Sequence, residues 1–394
     1  MNLNSRERVN RALNHLEPDR VPIDSGGTVS SIHEEAYRNL LKYLNIEEEV
    51  TAQVDNRAAF PSEEILKFLG VDFRYIYPDV GTYWIFSEEE DGSFVDEFGV
   101  KYKKGRYYTD ITYHPLRGLS LEDVKKYKFP DPSNPIKYEK LRERALKIRR
   151  ETNYSLVYAP CFCIHYMMWQ LRGMDEAMTD LVINPEIAKY LLDKTVDWVM
   201  ETFEHALNEV GDLIDIFWVG DDLGTQLGPM IDPVIFKREM VPRHKKVIDF
   251  CKTKTDAKCA YHCCGSVYWC MNDLIEMGVD ILHPLQANAV GNEDPEKIKK
   301  EFGKKLTFHG GTDNQGTFHL DKRIMLISVL KKIKYLAPGG GYIFSSGHNI
   351  QETCPPENIV ALFECAKEFG TYPIDVEKID KEIEKLEKSL KKSK

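Results

Sequence analysis

Ala257-Lys258-Cys259-Ala260-Tyr261-His262-Cys263-Cys264-Gly265 reads as a short apolar strand that ends in a reactive triplet and a turn-forming glycine. Side chains alternate across an extended strand, so His262 and Cys264 share one face and Cys263 takes the other. An imidazole and a thiol side by side are two of the ligand types that zinc prefers. A catalytic zinc site needs one more protein ligand and keeps a fourth position open. His348 and Cys354, far downstream, are sources for the missing ligand. Read alone, the pair also fits a core histidine next to a small buried cysteine.

Working outward, seven more runs of the same kind cover 21–24, 71–77, 154–159, 213–219, 279–283, 305–308 and 342–345, giving eight with 257–262. Helical stretches lie between several of them. Residues 185–210 open with Asn184 and a first-position proline, 295–302 follow the cap-like Asp294, and 356–369 again start at a proline. Eight strands alternating with helices predict an α/β fold, a closed parallel (β/α)8 TIM-type barrel, with an open doubly wound sheet as the alternative. Residues 83–116 break the rhythm with alternating aromatic and charged residues around Asp91-Gly92, which predicts a β-hairpin inserted after the second strand. Such an insertion serves either as a lid over the barrel mouth or as a contact in a homodimer. The barrel is expected to span 1–374. Residues 375–394 form a Lys/Glu-rich helical tail whose Ile379, Ile383, Leu386 and Leu390 make one narrow apolar stripe.

In such barrels the active site sits at the carboxyl ends of the strands, where loops vary without disturbing the packed interior. Reactive residues do gather after the predicted strands: Asp24, Cys161 and Cys163, Asp221 and Asp222, His262 and Cys264, Gln286, His309 and Asp313, and His348. Asp221, His309 and Asp313 are candidates for proton transfer, and Gln286 and Asp24 for holding substrate. Adjacent Asp221 and Asp222 cannot both face inward from a regular strand, and we assign Asp222 the structural part. Tyr166-Met167-Met168-Trp169 form either core or an apolar pocket wall, with Met168 the candidate contact. Gly339-Gly340-Gly341 precede a strand rather than a helix and read as a turn, not an anion-binding loop.

Composition narrows the partners. A formal charge of −10 argues against nucleic acid, whose phosphates need concentrated positive charge. No apolar run approaches twenty residues, and the start MNLNSRERVN is polar, so no membrane span or secretory leader is expected and the location expected is cytoplasmic. Nine cysteines in such a chain point to thiol or metal chemistry rather than a disulfide framework.

Arg6-Glu7-Arg8 to Ala12-Leu13 with Pro18-Asp19-Arg20-Val21-Pro22, Gly220 to Gln226, His262 to Gly265, Phe308-His309-Gly310-Gly311, and Gly347-His348-Asn349-Ile350 with Pro355-Pro356-Glu357-Asn358 resemble the uroporphyrinogen decarboxylase superfamily, and most closely its corrinoid-linked methyltransferase branch. The resemblance implies a (β/α)8 barrel with its pocket at the carboxyl mouth. True decarboxylases of the superfamily hold an acidic tetrapyrrole through an R-Q-A-G-R motif after the first strand. This chain has Asp24-Ser25-Gly26-Gly27 there. The methyltransferases bind zinc through H-x-C and a later cysteine and exchange methyl groups with a corrinoid protein. That implies His262 and Cys264 as the first two ligands. At the third position the chain departs from the pattern, with His348 where that cysteine would stand and Cys354 as the alternative ligand. The function implied is zinc-dependent methyl transfer between a small methylated substrate or thiol and a corrinoid (cobalamin) carried by a separate small protein. The alternatives are a metal-free decarboxylase and a non-catalytic ligand-binding barrel.

Overall fold

The computed structural model describes residues 3–53, 56–78, 87–88, 90–106 and 108–392, with the side chains of Ser87, Glu88, Cys161 and Phe162 excepted. Seven parallel strands follow one another around a curled sheet: β1 (Phe73–Ile76), β6 (Ser155–Cys163), β7 (Ile216–Gly220), β8 (Lys258–His262), β9 (Ile281–His283), β10 (Thr307–His309) and β11 (Tyr342–Ile343). The eighth position is held by residues 21–24. There Asp24 N–H donates to the Phe344 carbonyl and Phe344 N–H to the Pro22 carbonyl. On the other side Asp72 N–H donates to the Ile23 carbonyl, each at 2.8 Å. These bonds join β11 to the approach of β1 and close the ring as a TIM-type barrel. Pro22 has no N–H to give, which limits this segment to a bridge between Ile23 and Phe344 where a full strand was expected.

Parallel barrel strands are buried on both faces, and β7 shows how the two faces are used. Phe217 points outward against Phe203 of helix Pro185–Val210, with ring centroids 6.1 Å apart. Trp218 points inward. On β8, Tyr261 faces His244 of helix Val241–Lys254, while His262 turns to the barrel interior. The predicted helices form as Pro185–Val210, Pro295–Phe302 and Pro356–Phe369. Asp294 caps the second through the Lys297 N–H at 2.9 Å, whereas Asn184 instead donates its amide to Asp180. The tail forms helix Val376–Lys392, which buries Ile379 and Ile383 and is tied by Asp380 to Lys334 of helix Lys322–Leu336. No helix among the described residues is long and apolar enough to cross a membrane.

The insertion after β1 is larger than the expected hairpin. It is an antiparallel meander of β2 (Ser87–Glu88), β3 (Ser93–Val95), β4 (Lys101–Lys104) and β5 (Thr109–Tyr113), paired in chain order. Asp91-Gly92 makes only the first of its turns. A second is built by Asp96, whose carboxylate accepts the Phe98 and Val100 N–H groups at 2.9 Å. Phe94 and Tyr102 stack on its inner face, and Gln170 of helix Ile164–Arg172 donates to the Tyr102 hydroxyl. The turn between β4 and β5 rests on the barrel: Tyr108 bonds Gln351, three residues beyond His348, and the Arg106 carbonyl accepts from Arg57. Residues 83–86, 89 and 107, also part of the expected insertion, lie outside the described residues.

Candidate metal centre

β8 ends at His262, and its alternation carries on through the next two residues. Cys263 is fully buried on the outer face, where its Sγ accepts the Leu223 N–H at 3.4 Å and burial pushes its thiol well above the usual range. Cys264 returns to the inner face, with Sγ 3.5 Å from His262 Nε2. Two neighbours hold this turn: Asp222 Oδ1 accepts the Cys264 N–H at 2.9 Å, and Gln286 Oε1 accepts the Gly265 N–H at 2.7 Å. Gly265 has φ +79°, and a Cβ there would stand 2.3 Å from the Gly224 carbonyl oxygen, so glycine is required. Gly220, at the end of β7, leaves room for His262 itself; a Cβ there would lie 2.6 Å from the His262 carbonyl oxygen and 2.9 Å from its Cβ.

The third corner is His348, on the loop after β11. One donor atom each from His262, Cys264 and His348 lies within 4.8 Å of the others. Zinc bonds of about 2.0 Å to nitrogen and about 2.3 Å to sulfur, at a tetrahedral angle, place those two ligand atoms about 3.5 Å apart. The observed Nε2 to Sγ separation of 3.5 Å matches that spacing, and His348 offers a third donor atom within 4.8 Å of both. Both imidazoles are held neutral: burial lowers His262, and burial with His262 alongside lowers His348 to about 3. Neutral imidazole is the form that binds metal.

Behind the triangle the barrel interior is lined by histidines from consecutive strands. His262 Nδ1 lies 3.0 Å from His283 Nδ1, and the His283 ring lies 4.6 Å from that of His309. The Trp218 ring centroid lies 6.5, 5.1 and 5.7 Å from those of His262, His283 and His309. His309 Nε2 reaches within 3.0 Å of Asp24 Oδ2, which also accepts from Tyr75 at 2.7 Å and Ser30 at 2.8 Å. Asp24 is fully buried, and its Oδ1 has no hydrogen-bond partner among the described residues. Burial, reinforced by the Asp24 carboxylate, keeps the Tyr75 phenol protonated.

The remaining candidates are placed as follows. Asp221 is turned away from the cluster: its oxygens accept the His165 and Tyr166 N–H groups at 2.8 and 2.9 Å, capping helix Ile164–Arg172, and His244 Nε2 lies 3.0 Å away. Asp222, partly exposed, stands 3.7 Å from His262 Nε2. The structural and the site-facing carboxylate are thus the reverse of the expected pair. Asp313 closes a turn through the Gly316 N–H at 2.8 Å. Gln286 holds the Cys264 turn and bonds Asn288, and Met168 is wholly buried in the packing of its helix. Cys354 lies outside the triangle. Its Sγ donates to the Phe318 carbonyl at 3.5 Å, and burial pushes its thiol to about 12. Cys163 is buried at the start of helix Ile164–Arg172, and the side chain of Cys161 lies outside the described residues. His283 and Trp218 were not singled out from the sequence, although His283 ends a predicted strand as His262 does.

A closed α/β barrel with polar side chains converging at the carboxyl ends of its strands has the architecture of a barrel enzyme. The uroporphyrinogen decarboxylase (URO-D) family model matches residues 97–369, and the chain belongs to that family. A Geobacter metallireducens protein named uroporphyrinogen decarboxylase is 21% identical over 344 residues, covering 84% of this chain and 91% of that one. One of the same name from Rickettsia bellii is 24% identical over 262 residues, covering 63% and 71%. Among solved structures, a methyltransferase from Methanosarcina mazei superposes with a TM-score of 0.66 at 16% identity, covering 93% of this chain and 99% of its own. At that identity the likeness speaks for the fold alone.

Proposed function

We propose that the chain is a zinc-dependent methyltransferase, moving a methyl group between a small methylated substrate or thiol and a corrinoid carried by a separate protein. The observation that carries this reading is the His262, Cys264, His348 triangle, whose donor atoms lie within 4.8 Å of one another with His262 Nε2 3.5 Å from Cys264 Sγ. Zinc held by His262, Cys264 and His348 would supply Lewis acidity, able to lower the pKa of a bound thiol or polarise a leaving oxygen. The chain's own residues do the rest. Asp222 and Gln286 fix the backbone on either side of Cys264, and buried His283, His309 and Trp218 form the floor behind it. In the transfer the carbon–heteroatom bond breaks with its electron pair staying on the donor's heteroatom, while a lone pair of the acceptor forms the new bond to the methyl carbon.

Decarboxylation of a tetrapyrrole is the second reading, favoured by the names of the curated relatives. It conflicts with the first strand's end. A substrate with many carboxylates needs guanidinium partners, and here that position holds Asp24, a buried carboxylate that would repel it. Each unpaired charge brought inside costs several kcal/mol.

The test follows the corrinoid absorbance spectrum with cob(I)alamin and methylcobalamin across methoxy compounds, methylamines and thiols, beside a porphyrinogen decarboxylation assay. Methyl exchange with one of these classes is expected. Robust coproporphyrinogen formation would overturn the assignment.

A further inference from the structure

A histidine that binds metal through Nε2 carries its remaining hydrogen on Nδ1 and needs an acceptor there to keep its ring and tautomer fixed. In the metal centre proposed above, His262 Nε2 is the atom that meets Cys264 Sγ. Its Nδ1 lies 3.0 Å from His283 Nδ1. Two Nδ1 atoms at that distance share one hydrogen. If His262 supplies it, His283 must accept with its lone pair and carry its own hydrogen on Nε2. His283 is fully buried, and its Nε2 has no partner among the described residues, so an unpaired N–H there is the cost of that tautomer, one that a metal bond at His262 Nε2 must outweigh. Its ring is boxed by Trp218 at 5.1 Å and His309 at 4.6 Å, which leaves it little freedom to turn away.

We infer that His283 is the positioning residue of the metal centre, fixing His262 in the tautomer that presents Nε2 to the metal. The inference rests on the zinc reading above and adds a residue to which no ligand role falls. It acts through His262 and touches neither metal nor substrate.

Two substitutions of similar shape separate this role from packing. His283→Asn offers its amide oxygen near the place of Nδ1, and His283→Gln offers its amide near the place of Nε2. Metal-stripped wild type and both variants are titrated with Co(II), read by the visible bands of tetrahedral cobalt, and then competed with Zn(II). Loss of a partner of this kind typically weakens metal affinity about 10- to 100-fold, so that is the loss expected for His283→Gln, with an altered cobalt spectrum. His283→Asn is expected to recover most of the affinity and the wild-type spectrum. Thermal melting of the metal-free proteins checks folding, and His283→Met, which fills the space without an acceptor at Nδ1, stands in if the Gln variant does not fold. Equal weakening in the Asn and Gln variants, or no change in either, overturns the positioning role while leaving the metal centre standing. A wild type that takes up neither Co(II) nor Zn(II) overturns the metal reading itself, and this inference with it.

Discussion

Asp222 accepts the Cys264 N–H at 2.9 Å and so ties the loop after β7 to the turn after β8. Its neighbour Asp221 spends both oxygens on a helix terminus on the far side of the sheet. Two adjacent carboxylates are thus divided between site and scaffold.

That division has separable consequences. Asp221→Asn removes a buried charge from two backbone donors and should cost about 3 kcal/mol in denaturant unfolding. Asp222→Asn keeps an acceptor for Cys264 at a partly exposed position and should stay within about 0.5 kcal/mol of wild type. A larger loss at 222 than at 221 would contradict the assignment.

The buried imidazoles should make the metal-free protein acid-sensitive. His262, His283 and His348 are all lowered by burial, His348 to about 3. In the unfolded chain they titrate near about 6.5, so below that pH the unfolded state binds more protons. The stability these groups contribute is complete above about pH 6.5 and is lost progressively as pH falls toward the folded values. Melting temperatures of the metal-free protein should therefore drop between about pH 7 and about pH 4.5, and less steeply in His348→Gln. An identical slope in the variant would remove His348 from the account.

Gly220→Ala tests whether close approach of β7 and β8 shapes the site. The new methyl group would meet the His262 backbone at 2.6 Å, so His262 must shift or the strands must part. Overpacking of this kind costs about 1 to 3 kcal/mol, and metal affinity should fall with it. A variant with wild-type stability and metal uptake would show that the strands yield elsewhere.

The barrel was legible because each strand run is short and ends in polar residues, and the alternation through His262-Cys263-Cys264 was legible because a histidine and a thiol mark the inner face. Parity at β7 was not. Phe217 and Trp218 are both large and apolar, as expected where both faces are buried, so nothing in the sequence says which points inward, and Asp221 and Asp222 inherit that ambiguity. His283 ends its predicted run as His262 does, but two residues on stands Leu285 rather than a second ligand-type side chain such as Cys264, so nothing marked it as part of a site. The meander was read as one hairpin because its second turn depends on Asp96, whose capping bonds are visible only in the fold.

Metal content of the purified protein and of two neighbouring cysteine variants tests the central claim most directly. Wild type should carry about one zinc ion per chain, with Cys264→Ala losing it and Cys263→Ala keeping it, since only Cys264 shares the inner face with His262. Equal loss in both variants, or a wild type with intact thiols and no zinc, would contradict the metal centre.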